Sequence, residues 1–163
     1  MHLTTSPRPA AAPVATAVCL LAAVAAGCAG GRPAPAYRPV TREVTVTAIP
    51  LLTREMQRIY PFLARDFAPG GVLAGREVYA FEPQSITVVE GDTLALTLVN
   101  PEDDAHSFVL PGLAVDMPGQ TTVGATWVAA TPGIYAYRCV VPAHLPYMAG
   151  TVVVLPAAAF PAR

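Results

Sequence analysis

Apolar and polar residues alternate along much of this chain, and the period of alternation changes twice. EVTVTAI (43–49) sets Val44, Val46 and Ala48 on one face and predicts a strand. From 51 to 67 the period lengthens. Leu52, Met56, Ile59, Leu63 and Phe67 recur every three or four residues, as on one face of a helix. Pro61 interrupts that face and predicts a kink or two short helices. From Arg76 onward the two-residue period returns. REVYAF, QSITVVE, TLALTLV, HSFVL, TVGATWV, GIYAYRC and AGTVVVL read as strands, with Leu94, Leu96 and Leu98 sharing a face. Gly91-Asp92 marks a turn, and Pro101, Pro111, Pro118 and Pro132 with Gly112, Gly119 and Gly133 punctuate the rest. Seven or eight short strands at this spacing predict an all-β sandwich or barrel with a short helical insertion near residues 51–67.

Composition narrows the functions open to such a fold. The chain has 163 residues, a one-domain length, and its 18 prolines argue against long helices. Its basic residues are all arginine, and the net charge of −1 speaks against nucleic-acid binding. The charge is uneven: residues 28–75 hold six arginines against Glu43, Glu55 and Asp66, and residues 76–163 hold three against eight acids. Ordinary surface scatter is one explanation. A basic tether near an anionic membrane, carrying a mildly acidic domain, is the other.

The N-terminus reads as an export signal over 1–27. Arg8 supplies the positive region, and VATAVCLLAAVAAG (14–27) is one signal core long and too short to span a bilayer. The run ends in AAGC, which resembles the bacterial lipoprotein signal and implies Cys28 as the lipid anchor. Cleavage after Ala25, giving a soluble exported protein, is the rival, and an uncleaved anchor is a third option. A Pro/Gly/Ala-rich tether follows over 28–42, and the domain is expected over 43–163, with its core at 76–155. Cys19 falls in the signal and Cys28 takes lipid, so Cys139 has no disulfide partner in the mature chain. A lone thiol in an oxidising compartment is a liability unless something occupies it.

A metal would occupy it. CVVPAHLPYM (139–148) crowds Cys139, His144 and Met148 together, and His106 begins a strand 33 residues upstream. Each residue alone has a bland explanation as surface, core or packing. Together they gather both histidines that survive signal cleavage around the one thiol left free of lipid. Soft sulfur suits Cu(I) and imidazole suits Cu(II), so two histidines, a thiolate and a weak thioether accept copper in both states. Structural zinc prefers four strong ligands, and Met is a poor one. Pro142 and Pro146 stiffen the loop that carries His144 and Met148.

At this point the chain resembles the cupredoxins, the small blue type 1 copper proteins of the azurin and plastocyanin kind. The Cys-x4-His-x3-Met spacing, with a proline inside the first gap, is similar to the azurin branch. FEPQSITVVEGDTLALTLVNPEDDAHSF carries the family's Phe-x-Pro start, its Gly-Asp turn and an Asn (Asn100) ahead of the first ligand. The resemblance implies a Greek-key sandwich and one copper cycling between Cu(I) and Cu(II), with His106, Cys139 and His144 equatorial and Met148 axial. It also implies electron exchange through an exposed edge of His144. Three features depart from the family: the insertion at 50–75, Ser107 where many members have Asn, and PGIYAYRC. The last is similar to the dinuclear copper domain of respiratory oxidases, but Ala143 stands where a second Cys would be needed.

The expected function is therefore single-electron carriage outside the cytoplasmic membrane, at its outer face or in the periplasm. The carrier would be a monomer docking a respiratory-chain or cytochrome-like partner near His144. Copper delivery is the alternative, disfavoured by the scarcity of Met and His. Enzymatic nitrite reduction or copper oxidase chemistry needs a further copper and more histidines than this chain has. A copper-free structural cupredoxin is at odds with the intact ligand set.

Overall fold

The protein is described by a computed structural model over residues 36–160; the expected signal, Cys28 and the tether up to residue 35 lie outside the described residues. Among the described residues nine strands form two sheets. β1 (Thr41–Leu52), β2 (Val78–Glu82), β4 (Thr93–Asn100) and β7 (Thr121–Val128) make one, in the order β2-β1-β4-β7. β3 (Ser85–Val89), β5 (His106–Leu110), β6 (Leu113–Met117), β8 (Gly133–Arg138) and β9 (Ala149–Leu155) make the other, in the order β3-β9-β8-β5-β6. β1 runs parallel to β4 and β3 to β9, and the remaining pairs are antiparallel. The chain changes sheet after β2, β3, β4, β6 and β7, which makes an all-β sandwich of the expected class.

Alternation is what closes the sandwich. The register sets Val44 beside Leu96 and Val46 beside Leu98, so the apolar faces of β1 and β4 point the same way. Leu94, Leu96 and Leu98 are buried against the opposite sheet, whose Phe108 and Tyr137 rings stack 4.8 Å apart. Burying one such side chain stabilises the fold by about 1.5–3 kcal/mol. Trp127 of β7 donates its indole N–H to the Pro111 carbonyl between β5 and β6 at 2.9 Å, tying the sheets at one edge.

Four details differ from the sequence expectation. β1 begins at Thr41, inside the expected tether, and residues ahead of it are already tied down: Tyr37 and the Val40 amide both donate to Asp92. β1 also runs on through Leu52, which pairs with Val78 and so belongs to a strand rather than to a helical face. The helical insertion then follows as a 3-10 turn (Arg54–Arg58) and a short α1 (Leu63–Phe67) on either side of Pro61. Only Leu63 and Phe67 of the expected apolar face are buried, and Ile59 is 72% exposed. Finally, β6 was not expected; its five residues LAVDM pair back onto β5.

Candidate metal centre

The three strong ligands arrive from two directions. His106 is the first residue of β5. The loop before it is held by Asn100, the last and inward-facing residue of β4, 1% exposed. The Asn100 side-chain amide donates to the carbonyls of Asp104, Met117 and Pro118, and its oxygen accepts the Glu102 amide. The turn at 118–120 presses against that loop. Gln120 donates its amide to the Glu102 carbonyl, and a Cβ on Gly119 would collide with the Asp103 backbone. A buried side chain with this many partners fixes its loop.

Cys139 follows directly on β8, and His144 ends a 3-10 turn (Pro142–His144). The Cys139 amide donates to the Met148 carbonyl at 2.9 Å and the His144 amide to the Val141 carbonyl at 3.0 Å, closing the 139–148 loop on itself. Ser107 pins this loop to β5. Its hydroxyl accepts the Val140 amide at 2.9 Å and donates to the Cys139 sulfur at 3.7 Å. Ser107, one of the three departures noted in the sequence, thus makes a tether of its own.

The donor atoms converge. Sγ of Cys139 and a ring nitrogen of each histidine all lie within 4.8 Å of one another, and all three residues are buried. Cys139 Sγ stands 3.7 Å from His144 Nδ1, and the two Nδ1 atoms stand 3.0 Å apart. Two nitrogens about 2.0 Å and one sulfur about 2.3 Å from a shared ion lie roughly 3.7 Å apart across the sulfur–nitrogen pairs. The Cys139–His144 spacing matches. The closer nitrogen pair is within reach of a hydrogen bond from one ring to the other. Nε2 of His106 is buried with no hydrogen-bond partner among the described residues. Burial, then the charge of His144, pull His106 down to about 4 against the opposing pull of Asp104. Burial likewise lowers His144. Both rings are therefore neutral near pH 7, the form that binds metal. The donor set fits one copper ion.

Met148 is 1% exposed and sits in the core cluster beside Cys139. Its backbone carbonyl accepts the Cys139 amide and closes the ligand loop. His144 is 4% exposed, so its edge is not openly presented as expected. What solvent meets around it is Val140, Leu145 and Tyr147, exposed at 45%, 37% and 52%. Ala143 brings no donor, and Cys139 is the only cysteine among the described residues.

Sequence reasoning missed Tyr79. It lies on β2 on the same inward side as Phe81, and its ring meets both histidine rings. The available signal was an aromatic with a polar handle at a core position, which demands a partner.

Relatives agree with this architecture. A copper nitrite reductase from Nitrosomonas europaea superimposes with a TM-score of 0.50 at 21% identity, over 73% of this chain and 43% of that one. The multicopper oxidase mgLAC does so with 0.50 at 20% identity, over 71% and 39%. The fold is cupredoxin-like. Nitrous-oxide reductase of Stutzerimonas stutzeri is 37% identical over 65 residues, 37% of this chain and 10% of the reductase. The cupredoxin-like chain thus spans less than half of each superimposed structure and a tenth of the reductase. No protein-family model matches it.

Proposed function

We propose that this cupredoxin-like protein is a mononuclear type 1 copper protein that carries single electrons between partners outside the cytoplasmic membrane, and is not itself an enzyme. The observation that carries the reading is the buried convergence of His106, Cys139 and His144. These residues would hold the ion, with the Met148 thioether as a further, weak ligand. Bound copper supplies one-electron chemistry between Cu(I) and Cu(II). The chain supplies the rest. Burial excludes water, the Ser107 and Asn100 hydrogen bonds fix the donors, and little has to move when the charge changes. The same closure argues against delivery, which needs an open site from which metal can leave.

Val140, Leu145 and Tyr147 give a partner a small apolar surface beside His144, and a small contact of this kind suits brief encounters. Export and a lipid anchor at Cys28 complete the proposal, and no helix among the described residues is long and apolar enough to cross a membrane. A mature protein that partitions with membranes, and a Cys28→Ala chain that the lipoprotein pathway does not process, is the expected result. A lipid-free mature protein beginning at Ala26 contradicts the anchor alone.

Carrier and delivery roles separate in one experiment. The copper-loaded protein is taken through repeated reduction and reoxidation beside a Cu(I) chelator. A carrier keeps its copper and recovers its spectrum each cycle. Copper passing to the chelator on reduction overturns the carrier reading.

A further inference from the structure

The insertion between β1 and β2 is tied to the two histidines by a short chain of contacts. It leaves the sheet at Leu52 and rejoins at Val78, which pair with each other. The next residue, Tyr79, is 2% exposed. Its ring centroid lies 4.6 Å from that of His106 and 4.7 Å from that of His144, so one ring walls both imidazoles. Its hydroxyl stands between two carboxylates, 2.6 Å from Asp104 Oδ2 and 3.2 Å from Glu77 Oε2. The other Glu77 oxygen accepts the Arg54 amide at 2.9 Å, and the Arg54 guanidinium donates to the Gly75 carbonyl at 3.0 Å. Asp104 lies two residues before His106, in the loop that Asn100 holds. The tyrosine is thus gripped from the insertion on one side and from the ligand loop on the other.

Core filling alone does not account for this. Phe81, two residues along the same strand, fills the core with no polar atom to satisfy. A buried hydroxyl is costly unless paired, and this one is paired with groups at both ends of the path to the histidines. An imidazole that can swing about its side-chain torsions is a poor ligand. Neighbours that fix ring orientation commonly change metal affinity 10- to 100-fold.

We propose that Tyr79 is a positioning residue for His106 and His144, and that the insertion serves to hold Tyr79 through Glu77. The proposal rests on reading those histidines as copper ligands.

The test uses the full chain with Tyr79→Phe, Tyr79→Leu and Glu77→Ala, and with Phe81→Leu as a core control whose ring packs on Phe108 and Tyr137 rather than on the histidine rings. Three quantities are compared with the parent: copper loss to a chelator, the thermal midpoint, and the histidine ring resonances recorded before copper is added. Tyr79→Phe keeps the wall but frees it, and should lose copper about 10-fold faster with broadened ring resonances. Tyr79→Leu removes the wall and should approach about 100-fold. Glu77→Ala should move both readouts in the same direction by less, because Asp104 keeps the closer bond. Phe81→Leu should lower the thermal midpoint and leave the ring resonances sharp.

Tyrosine variants with the parent's copper retention and sharp rings overturn the proposal. So do effects that Phe81→Leu reproduces at equal loss of stability. If Tyr79→Leu does not fold, Tyr79→Phe decides alone. A parent that takes up no copper refutes the proposed function, and the ring resonances then still decide whether Tyr79 orders the two imidazoles.

Discussion

Two clusters of buried polar side chains lie beside opposite ends of β1, and they are built on opposite principles. At the first residues of the strand, Asp92 is wholly buried and wholly satisfied. One oxygen accepts the Tyr37 hydroxyl and the Val40 amide, and the other accepts Arg42 Nε and the Val89 amide. At the far end, His106, Cys139 and His144 are just as buried, but their donor atoms face one another and His106 Nε2 has no partner among the described residues. The Asp92 cluster is complete within the chain and locks the N-terminal segment onto the sandwich. In the proposed function the histidine–cysteine cluster is completed by a metal at its converging Nδ1 and Sγ atoms.

Substitutions should therefore act on different observables at the two ends. Cys139→Ser, at the metal end, has the largest expected effect. It removes the thiolate and should abolish the visible charge-transfer band while the fold persists, as circular dichroism and thermal melting would show. A serine variant as strongly coloured as the parent would remove Cys139 from the site.

Asp92→Asn should do the reverse. It leaves Arg42 without its carboxylate and weakens the tie to Tyr37, lowering stability by about 2 kcal/mol in chemical denaturation. The copper spectrum should be unchanged. A shifted spectrum in this variant would show that the two ends are not independent.

Acid sharpens the same contrast. Burial alone would raise the Asp92 carboxyl, but the hydrogen bonds from Tyr37, Val40, Arg42 and Val89 together outweigh it and hold the group at about 2, below its ordinary 3.8. A depressed carboxylate stabilises the fold fully above its unfolded value, and that contribution is lost as pH falls through the folded one. The parent should therefore carry about 2 kcal/mol of stability above pH 4 that fades toward pH 2. The advantage over Asp92→Asn should narrow over the same interval. A gap that stays constant down to pH 2 would mean that the carboxylate is not depressed.

The smallest effect is expected at Met148. A thioether favours Cu(I), so Met148→Gln, a harder oxygen donor, should lower the reduction potential, and Met148→Leu should raise it. Both should keep copper. Shifts of the same sign, or none, would make Met148 a core residue whose sulfur does not touch the metal.

The two ends were unequally legible in the sequence. The metal end was announced by its residue types: CVVPAHLPYM carries a spacing that packing alone does not ask for, and His106 marks the start of an alternating strand. The Asp92 end was not. Asp92 reads as an ordinary turn residue after Gly91, and its role depends on Tyr37 and Arg42, 50 or more residues away in sequence. Tyr79 escaped for the same reason, since only tertiary packing brings it against the histidines. Strands with a long clean alternation, such as the one through Leu94, Leu96 and Leu98, were visible at once. β6 was missed because Pro111-Gly112 and Pro118-Gly119 leave only LAVDM between them, too short to establish a period. Leu52 was misplaced because its spacing to Met56 fits a helix, while pairing with Val78 holds it in a strand.

The central claim is that the protein's buried donor triad holds one copper through a thiolate. The visible absorption spectrum of the purified protein, titrated with Cu(II) and read beside its metal content, tests this most directly. The account predicts an intense thiolate-to-copper band that grows to saturation at one copper per chain and disappears on reduction. A protein that binds zinc at this stoichiometry but never colours with Cu(II), or that saturates with two coppers, would contradict it.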